Sequence, residues 1–256
     1  NTGDLIRAKR RETQNETLDK GWKVAAEHWD MVLRGASLGM TTTHALPTTP
    51  LRGALGLARK ALSEDIVPTL TSELPGGGKV RKPQTAPNPD AIFMPACVGT
   101  MFGTEHACGT GVGGAVRELA AYAGLRLSTP AGVQELCCGT PWKSKGLAKG
   151  YEVMKDKLTS WIVQHTQHGR IPLVCDNVSC TEGIIVALKN AGVEGITVMD
   201  ATEWVATYVA PVLPPLAKAR KAAVHPTCSS THLGVNDALM MLAGLVADEA
   251  IIPDGW

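Results

Sequence analysis

The fold is decided by a short stretch near the middle of the chain, Ala91-Ile-Phe-Met-Pro-Ala-Cys97. Its four apolar residues are too few for a helix, and the proline after them ends the run, so they predict a β-strand. Four similar runs follow, each bounded by turn residues, at 125–127, 171–174, 196–199 and 222–225. Most of these runs should be buried parallel strands, because helical stretches separate them.

Amphipathic stripes indicate the helices. Three stripes with helical spacing follow the first strand: Val116, Leu119, Ala120 and Ala123; Tyr151, Met154, Leu158, Trp161, Ile162 and His165; Val235, Leu239, Leu242 and Val246. A further stripe comes earlier and predicts an amphipathic N-terminal helix: Trp22, Ala25, Trp29, Val32 and Leu33. Together the elements predict an α/β fold with parallel sheets, preceded by a helical N-terminal segment.

We divide the chain into four parts. Residues 1–67 form the helical segment, 68–90 a flexible connector rich in proline and glycine, 91–194 a first α/β unit and 195–256 a partial second one. Cys97 and Cys228 each follow a strand-like run and a proline, which suggests that the two units are related.

Composition excludes several classes of protein. The 25 Lys and Arg nearly balance the 24 Asp and Glu, and no basic stretch is interleaved with aromatic residues, which argues against nucleic acid as a partner. The sequence has no run of about 18 apolar residues, and its N-terminus is polar, so neither a membrane-spanning helix nor an intact signal peptide is predicted. A soluble cytoplasmic protein is expected.

The seven cysteines are the informative residues, because a chain of this length does not need disulfides for stability. They are Cys97, Cys108, Cys137, Cys138, Cys175, Cys180 and Cys228. Several follow the ends of predicted strands, and the carboxyl ends of parallel strands meet at one edge of a sheet. We therefore expect distant loops to bring five sulfurs, those of residues 97, 137, 138, 175 and 180, to that edge. Thiolates from several loops suit a soft metal or an iron-sulfur cluster.

The adjacent pair Cys137-Cys138 would point to opposite faces of a regular strand. Shared ligation requires a bent backbone, which Gly139 and Pro141 permit. Thr140 is expected beside the sulfurs.

Three alternative roles for the cysteines stay open. Buried free cysteines act as small hydrophobic residues, which is the role we expect for Cys108. A catalytic disulfide is disfavoured because the chain has no C-x-x-C and because a ring closed between adjacent cysteines is strained. Structural zinc is secondary, because its usual C-x-x-C knuckles are absent from the sequence.

The cysteine segments resemble a known family. Leu136-Cys-Cys-Gly-Thr-Pro-Trp-Lys-Ser-Lys-Gly146 resembles the cysteine-rich CCG motif that heterodisulfide reductases share with the iron-sulfur subunits of glycolate oxidases. Three further segments, 95–103, 175–183 and 225–234, resemble the C-terminal iron-sulfur region of FAD- and iron-sulfur-containing D-lactate dehydrogenases, a group of FAD-linked oxidases. The resemblance covers most of the chain and implies parallel-sheet CCG-type units with flanking helices.

The resemblance implies an electron-transfer function. An upstream FAD-binding dehydrogenase domain would oxidise D-lactate or another D-2-hydroxy acid, and its electrons would pass through an iron-sulfur cluster to a quinone or cytochrome. The first and last residues of the chain resemble sequences beside further cysteine motifs, so an excerpt cut at both ends, not catalytic by itself, is expected. Peripheral association with the inner face of a membrane is inferred from the family alone.

The resemblance also implies a ligand set. Cys97, Cys137, Cys138 and Cys180 would hold a 4Fe-4S-type cluster, of cubane or noncubane form. Cys175 is a fifth candidate, although four residues separate it from Cys180 where the family has a C-x-x-C. Cys228 would begin the binding segment of the second unit.

Two other functions compete with electron transfer. One is a non-redox α/β module that binds zinc or docks a partner. The other is a thiol-disulfide oxidoreductase, which requires an accessible cysteine of depressed pKa and activity without metal.

Overall fold

A parallel four-stranded sheet is the centre of the computed structural model, which describes residues 2–13, 15–45, 53, 56–57, 59–60, 75–104 and 109–254. The strands are β1 (Ala91–Met94), β2 (Leu127–Ser128), β3 (Leu173–Cys175) and β4 (Val198–Asp200), in the order β2-β1-β3-β4. All neighbouring pairs are parallel, and Met94 at the end of β1 lies opposite Cys175 at the end of β3. The predicted α/β class is confirmed.

The first strand has the predicted bounds, whereas β2, β3 and β4 begin two residues after their predicted starts. In two cases the residues before the strand still complete the preceding helix. The amide of Leu125 donates to the carbonyl of Ala120, and that of Ile171 to the carbonyl of Thr166. Apolar character alone does not separate such a helix end from a strand.

Eleven α-helices have defined bounds in the described part of the chain. Three precede the sheet: α1 (Thr2–Glu12), α2 (Glu16–Glu27) and α3 (Trp29–Ala45). Six follow β1 up to the end of β4 and just beyond it: α4 (Val98–Met101), α5 (Gly111–Tyr122), α6 (Thr140–Lys145), α7 (Ala148–His165), α8 (Val178–Asn190) and α9 (Ala201–Trp204). The last two are α10 (Cys228–Leu233) and α11 (Asn236–Val246). The three predicted stripes lie on or directly beside α5, α7 and α11.

The helices that connect neighbouring strands lie on opposite faces of the sheet. Between β1 and β2, the longer helix α5 packs with Phe93 and Val174 on one face. The helix between β3 and β4 is α8, which packs with Ile92 and Leu173 on the opposite face. Winding therefore reverses between the neighbouring strands β1 and β3, and a crevice is expected outside their carboxyl ends.

The N-terminal helices cover the face that α8 shares. Leu33 and Trp29 of α3 are buried there, and the Trp29 ring lies 4.7 Å from that of Trp142. The indole N–H of Trp142 donates to the carbonyl of Trp22 at 2.9 Å. The stripe predicted as one amphipathic helix spans two helices, because the helix ends at Glu27 and a new one begins at Trp29. Most of residues 46–67, also predicted as helical, lie outside the described residues.

The predicted connector is described from residue 75 onward and contains no helix and no regular strand between residues 75 and 90. It is nevertheless attached to the rest of the molecule: Gln84 forms an isolated antiparallel bridge with Thr129, and Gly78 donates to the carbonyl of Thr100 at 3.0 Å. This part of the connector is therefore a packed segment. Residues 68–74 of the predicted connector lie outside the described residues.

A second, two-stranded parallel sheet is formed by β5 (Ala219–Ala223) and β6 (Ala247–Ile251), with α10 and α11 between them. β5 is mostly exposed, in contrast to the buried strands of the first sheet, because it pairs only with β6 and carries Arg220 and Lys221. The first sheet includes β4, which lies beyond the unit boundary that we predicted at residues 194 and 195.

Close packing between α2 and α7 generates a stability prediction. A Cβ at Gly150 of α7 would lie 2.3 Å from Cδ1 of Trp142 and 2.9 Å from the carbonyl oxygen of Trp22. Gly150→Ala should therefore lower the free energy of unfolding by about 1–3 kcal/mol, measured by urea unfolding. Gly21→Ala in α2 is the matched control: nothing lies within 4 Å of its added Cβ, so it should raise stability by about 0.5–1 kcal/mol. Equal effects would contradict this packing.

Candidate site at the carboxyl edge of the sheet

The ends of β1 and β3 place the first two cysteines of the site. Cys97 follows β1 by three residues and caps the start of α4, and Cys175 is the last residue of β3. Alternation along β3 directs Cys175 to the same face as Leu173, where it joins the core cluster that contains Cys97. Both thiols lie where the winding of the sheet reverses.

The Cys137-Cys138 pair lies in a bent segment, as predicted. The backbone of Gly139 has a φ of +81°, and α6 begins directly afterwards with Pro141 in its first turn. This φ lies in the left-handed region that glycine adopts without strain. The amide of Cys137 contacts Sδ of Met154 at 3.2 Å, and Sγ of Cys138 lies 3.2 Å from Oγ1 of Thr140.

Cys180 comes from the first turn of α8. Asn177 caps this helix, and its side-chain oxygen accepts from the amides of Ser179 at 3.1 Å and Cys180 at 3.2 Å. The cap fixes the first turn of the helix relative to the end of β3. Of the four residues between Cys175 and Cys180, Asp176 and Asn177 join the strand to the helix, and the other two already belong to α8.

The structure brings together the five cysteines that the sequence predicted to converge. Sγ of Cys97 lies 3.6 Å from Sγ of Cys137. The thiol of Cys138 interacts with those of Cys137 and Cys180, and Cys180 also interacts with Cys175. The five sulfurs therefore form a chain of neighbours in the order 97, 137, 138, 180, 175.

Four of these five thiols are buried and Cys180 is partly buried, whereas Cys228 is exposed. Cys97 is 7% exposed, Cys137 1%, Cys138 4% and Cys175 0%. Cys228 is exposed, at the start of α10, and is not among these interacting thiols. Cys108 lies outside the described residues.

Hydrogen bonds between the thiols lower the pKa of two of them and raise the pKa of two others. The bond to Cys137 lowers the pKa of Cys97, and bonds to Cys137 and Cys180 hold the pKa of Cys138 well below its usual range. The pKa values of their partners Cys137 and Cys180 are raised, and the largest cause is the hydrogen bond of each to Cys138. Cys97 and Cys138 are thus more readily ionised than Cys137 and Cys180.

Two residues that interact with the thiols, Trp29 and Arg81, carry buried N–H donors without an acceptor. The indole N–H of Trp29 is buried and makes no hydrogen bond of normal geometry, but it lies near enough to Cys97 to help lower the pKa of that thiol. The buried Nε of Arg81 and Oγ1 of Thr100, one turn after Cys97, also lack partners. Unused donors of this kind favour negative charge on the neighbouring sulfurs.

Sequence reasoning missed Arg81, Trp29 and Asp176 as residues of this site. Arg81 is 7% exposed although it belongs to the predicted connector. Oδ1 of Asp176, the residue after Cys175, accepts from the amide of Ala96 at 2.6 Å, and burial raises its pKa. The sequence could have indicated Asp176, because it is a charged residue directly after a cysteine at a strand end. The burial of Arg81 and Trp29 depends on tertiary contacts and could not be predicted from the local sequence.

A polar contact joins the site to the second sheet. Glu182, two residues after Cys180, accepts a hydrogen bond from Oγ of Ser229, and its Oε1 lies 3.1 Å from Nδ1 of His232. Both partners are on α10. Their hydrogen bonds lower the pKa of Glu182, and the bond from Ser229 has the larger effect. Helix α10 therefore rests on α8 while Cys228 stays at the surface.

The chemistry of the donor set fits a thiolate-bound metal centre, because five thiols, four of them buried, lie among unused N–H and O–H donors. Among the residues that the structure describes, no group of three or more His, Cys, Asp or Glu side chains is arranged to hold a metal ion. Within the same residues, no helix is long and apolar enough to cross a membrane.

Comparison with known proteins gives no relative for this arrangement. No protein-family model, no curated protein and no solved structure matches the chain with significant similarity.

Proposed function

We propose that this chain is the iron-sulfur electron-transfer region of a flavin-linked dehydrogenase for D-lactate or another D-2-hydroxy acid. The observation that carries the proposal is the convergence of five cysteines from three distant segments at the switch point of a parallel sheet. The resemblance of the same segments to CCG-type proteins supplies the class of substrate and cofactor.

Cys97, Cys137, Cys138 and Cys180 are the residues that we assign as ligands of a 4Fe-4S-type cluster, with Cys175 as a fifth candidate. When bound, the cluster would supply single-electron transfer between the flavin, a two-electron donor, and the electron acceptor. The readily ionised thiols Cys97 and Cys138 suit ligation, because the thiolate is the form that binds metal.

The residues around the sulfurs support this role by excluding water and by offering hydrogen bonds. Trp142 and Met154 are fully buried on the same side of the sheet as the thiols. The hydroxyl of Thr140 and the indole N–H of Trp29 are positioned to stabilise charge on Cys138 and Cys97 respectively. Burial and hydrogen bonds to sulfur are the means by which a protein sets the potential of such a centre.

The rest of the proposal concerns partners. Reduced FAD in an FAD-binding dehydrogenase domain would donate the electrons, and a quinone or cytochrome would accept them. We place the protein in the cytoplasm, with peripheral association at the inner face of the membrane. These parts rest on the resemblance alone.

Thiol-disulfide exchange is the second candidate function, and one observation favours it: the 3.6 Å contact between the sulfurs of Cys97 and Cys137. Exchange requires that a partner reach one of the sulfurs. Both side chains are buried, which favours the metal centre over exchange.

Metal content is the first test of the proposal. Protein purified or reconstituted without oxygen should contain about four irons and four sulfides per chain, and EPR should detect a signal in one oxidation state. Zinc without sulfide would instead support a zinc-binding module. Folded, metal-free protein with a rapidly alkylated thiol would contradict the proposal and support thiol-disulfide exchange.

Substitution of single cysteines tests the ligand assignment. Cys138→Ser should remove most of the iron and the cluster absorption, because it deletes the thiol that links Cys137 to Cys180. Cys228→Ser is the control and should retain both, because Cys228 is exposed and apart from these interacting thiols. Iron analysis and visible absorption measure the effect, and equal retention in the two variants would refute the assignment.

A further inference from the structure

The segment before β1 carries a buried cation to the sulfurs. Gly78 lies so close to α4 that an added Cβ would be 2.0 Å from the carbonyl oxygen of Gly99. On the other side, Oγ of Ser37 in α3 donates to the carbonyl of Gly78 at 2.8 Å. The path of this segment is thus fixed three residues before Arg81.

Arg81 joins the two loops that hold Cys97 and Cys137. Its Nη1 donates to the carbonyl of Pro95 at 3.0 Å, and its Nη2 donates to the carbonyl of Leu136 at 2.7 Å. A longer bond of 3.4 Å reaches the carbonyl of Gln134. Pro95 is two residues before Cys97 and Leu136 directly precedes Cys137, so one guanidinium fork sets the spacing of both loops.

The charge of Arg81 is compensated only in part by these bonds, because all three acceptors are neutral carbonyls. A buried cation is unfavourable unless negative charge lies nearby. Burial lowers the pKa of Arg81, and negative charge at Cys97, Cys137, Cys175 or Asp176 would oppose this shift. Three of these four groups are the thiols of the site, and the Nε of the same side chain is a buried donor without an acceptor.

We infer that Arg81 is a positioning residue of the sulfur site, whose guanidinium ties together the loops of Cys97 and Cys137 and whose buried positive charge raises the reduction potential of the centre that these loops hold. The inference rests on the proposed function where it concerns the potential. Reduction adds an electron and therefore negative charge, so a nearby cation favours the reduced form.

Two variants separate the charge of Arg81 from its fork of donors. Arg81→Gln removes the charge and keeps an amide donor, whereas Arg81→Lys keeps the charge and loses the fork. Arg126→Gln is the control, because Arg126 is an exposed arginine that pairs with Asp90, at the opposite end of β1 from the cysteines.

The experiment is a potentiometric EPR titration of the reconstituted proteins. For Arg81→Gln we expect at least a tenfold smaller equilibrium constant for reduction, which is about 59 mV toward negative potential for one electron. Arg81→Lys and Arg126→Gln should stay near the wild-type potential. Loss of the cluster in Arg81→Gln but not in Arg81→Lys would also support the inference. An unchanged potential in Arg81→Gln would overturn it.

A separate arm applies if the wild-type protein binds no iron, which would refute the proposed function but not the positioning of the two loops. Amide hydrogen exchange of the reduced, metal-free proteins is then followed by mass spectrometry for residues 95–101 and 134–138. Because the guanidinium of Arg81 donates to the carbonyls of Pro95, Gln134 and Leu136, Arg81→Gln should speed exchange in both segments by about tenfold or more, and Arg126→Gln should not. Equal exchange in the wild type and Arg81→Gln would overturn the inference.

Discussion

Because α5 and α8 cover opposite faces of the sheet, the chain leaves β1 and β3 in opposite directions, and an opening is left between the carboxyl ends of these neighbours. Cys97 and Cys175 lie at this opening. The turn with Cys137 and Cys138 and the first turn of α8 with Cys180 are packed beside it. The location of every thiol in the site thus depends on where the winding reverses.

The N-terminal helices complete this arrangement from outside the sheet. Trp29 of α3 contacts Trp142 of α6, and its indole N–H lies beside Cys97. Trp22 of α2 accepts the hydrogen bond of Trp142 through its carbonyl. Large aromatic side chains bury much apolar surface and need a polar partner for each N–H. Helices α2 and α3 therefore belong to the same core as the site.

The parts of the fold that depend on local pattern could be predicted from the sequence. The run at 91–94 is buried on both faces, so its apolar character is continuous and its bounds are clear. The convergence of five cysteines followed from the parallel topology. What could not be predicted depends on tertiary contacts: the burial of Arg81 in a segment whose glycines and prolines indicate a loop, and the break at His28, where the apolar stripe continues across two helices. The exposure of β5 could not be predicted either, because its alanines do not indicate which strands it pairs with.

The long sequence separation between neighbouring sulfurs has a consequence for folding. Cys97 and Cys137 touch across 40 residues of chain, and the path from Cys97 to Cys180 passes through two strands and several helices. A zinc knuckle has ligands close together in sequence and can collect its metal in a largely unfolded chain. Here loop closure and strand pairing must come first, since non-local contacts form only after their entropy cost has been met. We therefore expect the sheet to fold before the five thiols come together as a site. A metal would then bind only to the folded chain.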